Sequence, residues 1–292
     1  MLLCRIALVC CLAIAGTSCA QPAPPRSTPP LTTHAVRVLM IDGGGRREQN
    51  YQSHLLHVQA LRDTVQRAGI GDAAISIFSS DGGDPAEDLA VRDLQPEPDF
   101  WLLEGTRLEP RLRTPVVYAN SAIPGVTLYP ATKKALASWF GSAHKHLRPG
   151  DTLLVYVTDH GTKNAVDLRN NQIVLWGKDE HATVTDLRHW LAQIDQGVRI
   201  VMVMSQCYSG AFADLAHPDT TGALPRGNVC GYFASTADRP AYGCYPENRG
   251  RANVGHGFHF IDSLRRTGNL DAAHRNVLVS DNTPDVPFRT SD

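Results

Sequence analysis

The 292-residue chain lacks an excess of charge of either sign: 28 Lys and Arg stand against 29 Asp and Glu, for a formal net charge of −1. That balance removes the basic footprint of a nucleic-acid binder and leaves no acidic block to solvate a tail. No hydrophobic run is long enough to cross a bilayer comfortably, since the apolar stretch from Ile6 to Gly16 has only eleven residues. No internal repeat is evident. Gly43-Gly44-Gly45 lacks Gly-x-Gly-x-x-Gly and is not followed by Gly-Lys-Ser/Thr, so it reads as a turn and not as a phosphate cradle. His256 and His259 have no cysteine or carboxylate at convincing ligand spacing, so neither a metal nor a cofactor is expected. With 42% hydrophobic and 20% charged residues, wholesale disorder is excluded, and the length is ample for an ordinary core.

Cysteine is scarce once the N-terminus is set aside. Of seven, Cys4, Cys10, Cys11 and Cys19 fall within residues 1–20, where Arg5 precedes the apolar run and small residues follow it. That is the layout of a secretory signal, and it points to export, periplasmic or extracellular. Cleavage after Ala20 would release a soluble protein. Cleavage before Cys19 would leave a lipid-modified N-terminus like that of a bacterial lipoprotein and tether the chain to a membrane. Residues 21–34 form a Pro-rich, extended linker. Cys207, Cys230 and Cys244 remain; the last two, fourteen positions apart, pair or stay separate thiols, and spacing alone does not choose.

From residue 35 to 292 the pattern is one α/β domain. Continuous apolar runs at 35–41, 73–78, 152–158, 198–204 and 229–235 predict buried parallel strands, and 276–280 a final one. Helical spacing or punctuation predicts helices over 54–67, 130–146, 182–194 and 257–266. Residues 80–129 show no clear period, and so contain either a functional insertion or short hidden elements.

Two strand ends carry chemistry. The third strand runs into Thr158-Asp159-His160-Gly161 and the fourth into Ser205-Gln206-Cys207-Tyr208-Ser209-Gly210. Functional groups in open α/β sheets gather beyond the carboxyl ends of strands, so neighbouring strands would bring His160 and Cys207 together. A thiol titrates near ~8.5, so a nearby imidazole is needed to take its proton and then return it to a leaving amine. Gly161 allows the backbone to approach a substrate carbonyl and present an N–H to its oxygen.

The blocks LLVYVTDHGT, RIVMVMSQCYSGAF and CGYFASTADRPAYGCYPE, with Asn50-Tyr51 after the first strand, resemble the legumain-type branch of the caspase-fold cysteine peptidases over about residues 36–247. The resemblance implies a caspase-like α/β/α sandwich with a mainly parallel, about six-stranded sheet. It implies Cys207 as nucleophile, His160 as general acid and base, N–H groups of Gly161 and Cys207 around the oxyanion, and Asn50 orienting the imidazole, with Asp159 as the alternative orienting group. Ser205 and Gln52 occupy positions where Asn-cleaving members carry an acid and a base, so strict asparaginyl specificity is not expected. Gln206, Ser235 and Asp238 complete the expected substrate-binding set, Asp238 facing a basic side chain. Three activities follow: an endopeptidase acting on peptides or proteins, a transpeptidase or transamidase using the same acyl-enzyme, or an inactive binding module.

Overall fold

The computed structural model describes residues 34–91, 106–107, 116–217, 227–244 and 248–291, with the side chain of Cys244 excepted. The expected signal, Cys19 and nearly all of the linker therefore lie outside the described residues.

The first five apolar runs become strands because their residues alternate between two covered faces. The first, β1 (Val36–Asp42), is buried from Val38 onward. It leads through Tyr51 into α1 (Gln52–Arg67), whose Leu55, Val58, Leu61 and Val65 form one buried stripe. Next come β2 (Ile75–Ser79), β3 (Leu89–Val91), β4 (Val117–Ala119) and β5 (Leu128–Tyr129). The aperiodic 80–129 region thus hides short strands: β3 and β4 pair antiparallel with each other, while β5 joins β2.

Helix α2 (Lys133–Ser142) starts later than Pro130, where the Thr132 hydroxyl accepts the Ala135 N–H at 3.3 Å. After β6 (Thr152–Thr158) comes a small antiparallel sheet of β7 (Gly161–Thr162), β8 (Gln172–Val174) and β9 (His181–Thr183). The expected helix over 182–194 therefore begins as a strand. Helix α3 (Val184–Leu191) starts at a capping box between Thr183 and Asp186. The chain continues through β10 (Arg199–Met204) and β11 (Val229–Phe233) to α4 (Gly255–Thr267), α5 (Leu270–Ser280) and β12 (Phe288–Arg289).

The expectation of a strand at 276–280 is corrected: these residues end α5. Asn269 caps that helix by accepting the Ala272 N–H at 2.9 Å, and Val277 is buried while Leu278 and Val279 are exposed. The burial follows a helical face, not an alternating one. Cys230, on β11, is a free thiol, and the side chain of Cys244 lies outside the described residues.

The central sheet has seven strands in the order β12-β11-β10-β6-β1-β2-β5. Six run parallel, and the seventh, β12, is an antiparallel addition at one edge. Alternate residues feed two cores. Leu153, Val155 and Val157 of β6 pack with α2 and α3, including Phe140 and Trp190; Leu154 and Tyr156 pack with α1, α4 and α5, including Leu61, Phe260 and Val277. Burying each such side chain contributes roughly 1.5–3 kcal/mol. The result is an α/β/α sandwich. It holds β6 and β10 side by side with Val157 level with Met204, so both strands end at the same edge.

Candidate active site

Beyond β6 the chain turns sharply at Asp159, whose φ of 74° is left-handed and uncommon for a non-glycine residue. The turn buries the Asp159 carboxylate completely, and the Gly44 N–H donates to its Oδ2. It also swings His160 toward the loop after β1. There the His160 Nε2 lies 2.8 Å from the Gln49 carbonyl oxygen and 3.3 Å from Asp159 Oδ1. A carbonyl can only accept, so Nε2 carries the proton and donates it to Gln49. In the neutral ring Nδ1 is then the free base. Tyr51 meets the imidazole edge-on at 5.2 Å between centroids, and His54 does so at 5.9 Å.

Burial lowers the His160 pKa, with the Gln49 carbonyl and Cys207 pulling the other way. The imidazole is therefore kept in its neutral form near neutrality. Burial pushes Asp159 up to about 8, against the backbone N–H groups of Gly44 and His160. His54 Nε2 stands 3.6 Å from Asp159 Oδ1, too far for a hydrogen bond, and burial holds His54 well below the usual histidine range.

Beyond β10, Cys207 is buried and its sulfur rests on the main chain of Ala241. The Ala241 N–H donates to Sγ at 3.2 Å, and the thiol reaches the Ala241 carbonyl at 3.5 Å. Tyr208 follows in a left-handed conformation, with φ 59°, and its N–H donates to the Arg239 carbonyl at 3.0 Å. Residues Ser209–Ala216 then wind as 3₁₀ turns.

The two strand ends touch. A Cβ on Gly161 would stand 2.1 Å from the Cys207 carbonyl oxygen, so no other residue lets the backbone after His160 lie against the backbone of Cys207. His160, Gly161, Cys207, Tyr208, Pro240 and Ala241 help to line one open cleft of about 380 Å³, with Thr162 and Lys163 at its wall. A thiol, a neutral imidazole and two adjoining backbones thus share one cleft, and these are the groups that nucleophilic acyl transfer uses.

Asn50 is corrected. Its side chain is fully buried away from His160, where Nδ2 donates to Ser80 Oγ and to the Asp88 carbonyl, each at 2.8 Å. The group that meets the imidazole is the carbonyl one residue earlier. A backbone carbonyl has no residue signature, which is why the sequence pointed to its neighbour. Asp159, the alternative in the sequence reading, places Oδ1 3.3 Å from His160 Nε2.

The expected substrate-binding residues surround the cleft without lining it. Ser205 Oγ lies 3.0 Å from His256 Nδ1. Gln206 is fully buried with neither amide atom hydrogen-bonded, and its Cγ lies 3.0 Å from a Cβ built on Gly161. Ser235 is buried, with its N–H donating to Ser209 Oγ at 3.2 Å. Asp238 is exposed and accepts the Thr236 hydroxyl at 2.6 Å, while Gln52 opens α1. Thr162, Lys163, Tyr208, Pro240 and Ala241, which do line the cleft, carry no sequence signal of that role.

Among the described residues no group of three or more His, Cys, Asp or Glu is placed to hold a metal ion. His256 faces Ser205, and His259 lies 3.4 Å from Ser280 Oγ, so the two do not converge.

Comparison with known proteins gives this arrangement a family. The model of the peptidase C13 family matches residues 38–269. A comparison with curated proteins returns no match. Among solved structures, protein GSU0716 from Geobacter sulfurreducens is similar with a TM-score of 0.52 and 10% identity, covering 87% of this chain and 92% of that one. Caspase-1 from Spodoptera frugiperda gives a TM-score of 0.43 and 13% identity over 88% of each chain. At 10% identity, the first of these speaks to fold alone. The family model spans both strand ends and most of the chain: the protein belongs to the peptidase C13 family, the legumain family of cysteine peptidases.

Proposed function

We propose that the protein is a cysteine endopeptidase working through Cys207 and His160. The observation that carries this reading is a single cleft lined by a thiol and by an imidazole whose Nε2–H is committed to the Gln49 carbonyl. Nδ1 of His160 accepts the thiol proton, and the sulfur adds to the peptide carbonyl carbon. Main-chain N–H groups of Gly161 and Cys207 face the developing oxyanion, and the Ala241 N–H favours the thiolate. Collapse breaks the C–N bond, and the imidazolium gives its proton to the departing amine, leaving a thioester on Cys207. Water, deprotonated by the same imidazole, then releases the acid and restores the thiol. Family membership supports the reaction class, and the neutral state of His160 supports its role as base.

We further propose that this activity is exported, on the signal-like residues 1–20. Mass analysis of the mature N-terminus separates a free Gln21 from a lipid-modified Cys19.

The test is incubation of residues 21–292 with a mixed peptide library under reducing conditions, beside Cys207→Ala and His160→Ala, with products identified by mass. Cleavage lost by at least about 1,000-fold in both variants is the expected outcome. Retention of full activity by either variant would overturn the mechanism.

A further inference from the structure

His160 borders a second cleft. It has a volume of about 730 Å³ and shares His160, Gly161 and Thr162 with the first, but Cys207 does not line it. Its opposite wall is the loop Gly45–Gln49 after β1, and Trp176, between β8 and β9, contributes an indole. The segment His160–Thr162 is thus a low ridge, without a side chain at Gly161, between a cleft that holds the thiol and one that does not.

We propose that this second cleft holds the part of the substrate on the amine side of the scissile bond, with Trp176 as the surface for an apolar or aromatic first residue. The proposal rests on the peptidase reading above. When the C–N bond breaks, the acyl carbon is attached to Cys207 Sγ and the nitrogen must lie within reach of the proton on His160. The acyl half therefore stays in the cleft that contains Cys207. The chain attached to the nitrogen leaves past the imidazole, which borders both clefts, and the larger of the two, walled by Trp176, has room for it beyond the thiol. An amine that replaced water as acceptor would enter by the same route.

The chemistry of the walls sets the preference. Arg46 and Arg47 both face Glu48, at 3.8 and 3.0 Å. Lys178 adds a cation, while Asp81, Glu87 and Asp179 add carboxylates, so neither sign prevails in the cleft. Recognition then falls to shape and apolar surface. Trp176 is held firmly in place: its backbone N–H donates to the Ala131 carbonyl at 2.9 Å, and its ring atom Cε3 would be 3.1 Å from a Cβ on Gly44. The residue is only partly buried, and its indole N–H makes no hydrogen bond among the described residues. A rigid, partly exposed indole offers an anchor for a side chain. The volume falls within the range of ligand-binding clefts.

Two substrate series test this. One varies the residue after the cleaved bond, the other the residue before it, and a methyl ester of the same acyl group has nothing beyond the bond. For Trp176→Ala, kcat/KM should fall about 5- to 10-fold for peptides with Phe or Leu after the bond, and under about 2-fold for Gly there. The methyl ester and the ranking of residues before the bond should not change, and Trp176→Phe should restore most of the loss. Ala86→Trp, a change at an exposed residue of the same wall, should narrow the cleft and slow the peptides but not the ester. Equal losses for Phe, Gly and ester substrates, or a changed ranking before the bond, would overturn the proposal. An ester turned over normally by both variants shows that they are folded. Absence of any Cys207-dependent turnover in the unsubstituted protein would instead sink the peptidase reading itself.

Discussion

The ends of β6 and β10 are neighbours at one sheet edge, yet they are held by different means. At β6 the imidazole is set by a network that includes a buried carboxylate: Asp159 bound by Gly44, and His160 bound by the Gln49 carbonyl. At β10 the sulfur rests against main chain, the Ala241 N–H and carbonyl, with Tyr208 anchored to Arg239. A buried titratable group raises the energetic stakes of the first arrangement and ties it to pH. The second depends on how closely backbones can approach. The β6 end should therefore respond to changes of charge, and the β10 end to changes of steric bulk.

The largest effect should come where the two ends meet. Gly161→Ala places a methyl group against the Cys207 carbonyl, a backbone atom that cannot swing aside. Activity on any substrate should fall at least about 100-fold, with about 2 kcal/mol or more lost from stability. Near-native activity in this variant would mean that the two backbones have room to part.

Asp159→Asn probes the β6 end. The folded pKa of about 8 lies above the ordinary aspartate value of 3.8, so the folded protein keeps a proton that the unfolded chain releases. Stability from this group is fully present below about pH 4 and is lost as pH rises through 8. Asn does not titrate. The melting temperature of the variant relative to the parent should therefore climb between pH 5 and pH 8, and a gap independent of pH would count against a neutral buried carboxyl. His54 works in the opposite direction: its lowered pKa removes stability as pH falls below 6.5. The variant leaves that acid limb in place.

The smallest effects separate Asn50 from Gln49. Asn50→Ala breaks the bonds to Ser80 and Asp88 and should lower stability by about 1–3 kcal/mol, while kcat/KM well below the melting temperature changes little. Gln49→Ala leaves the carbonyl in place and should stay within about 2-fold of the parent in kcat/KM. A large kcat loss in Asn50→Ala at full stability would return the orienting role to its side chain.

What could be read from the sequence follows the same division. The buried parallel strands were legible because runs such as TLLVYVT are apolar on both faces, and the strand ends then named His160 and Cys207. Three-residue strands β3 and β4 were not, because a pairing between residues 89–91 and 117–119 depends on partners far away in the chain. Residues 276–280 were misread because Val, Leu and Val in succession look like a strand when only one of them is buried, on a helix. Around the site, side-chain chemistry was visible and main-chain chemistry was not, which is why Gln49 and Ala241 emerged only from the structure.

The two outer strands of the central sheet, β5 and β12, contain two residues each. Such short margins offer an extended peptide few free N–H and carbonyl groups to dock alongside. Recognition by lengthening the sheet sideways is thereby disfavoured. A substrate of the proposed peptidase would instead be met end-on, at the tips of the inner strands, where specificity is written in loops that can change without disturbing the scaffold beneath them.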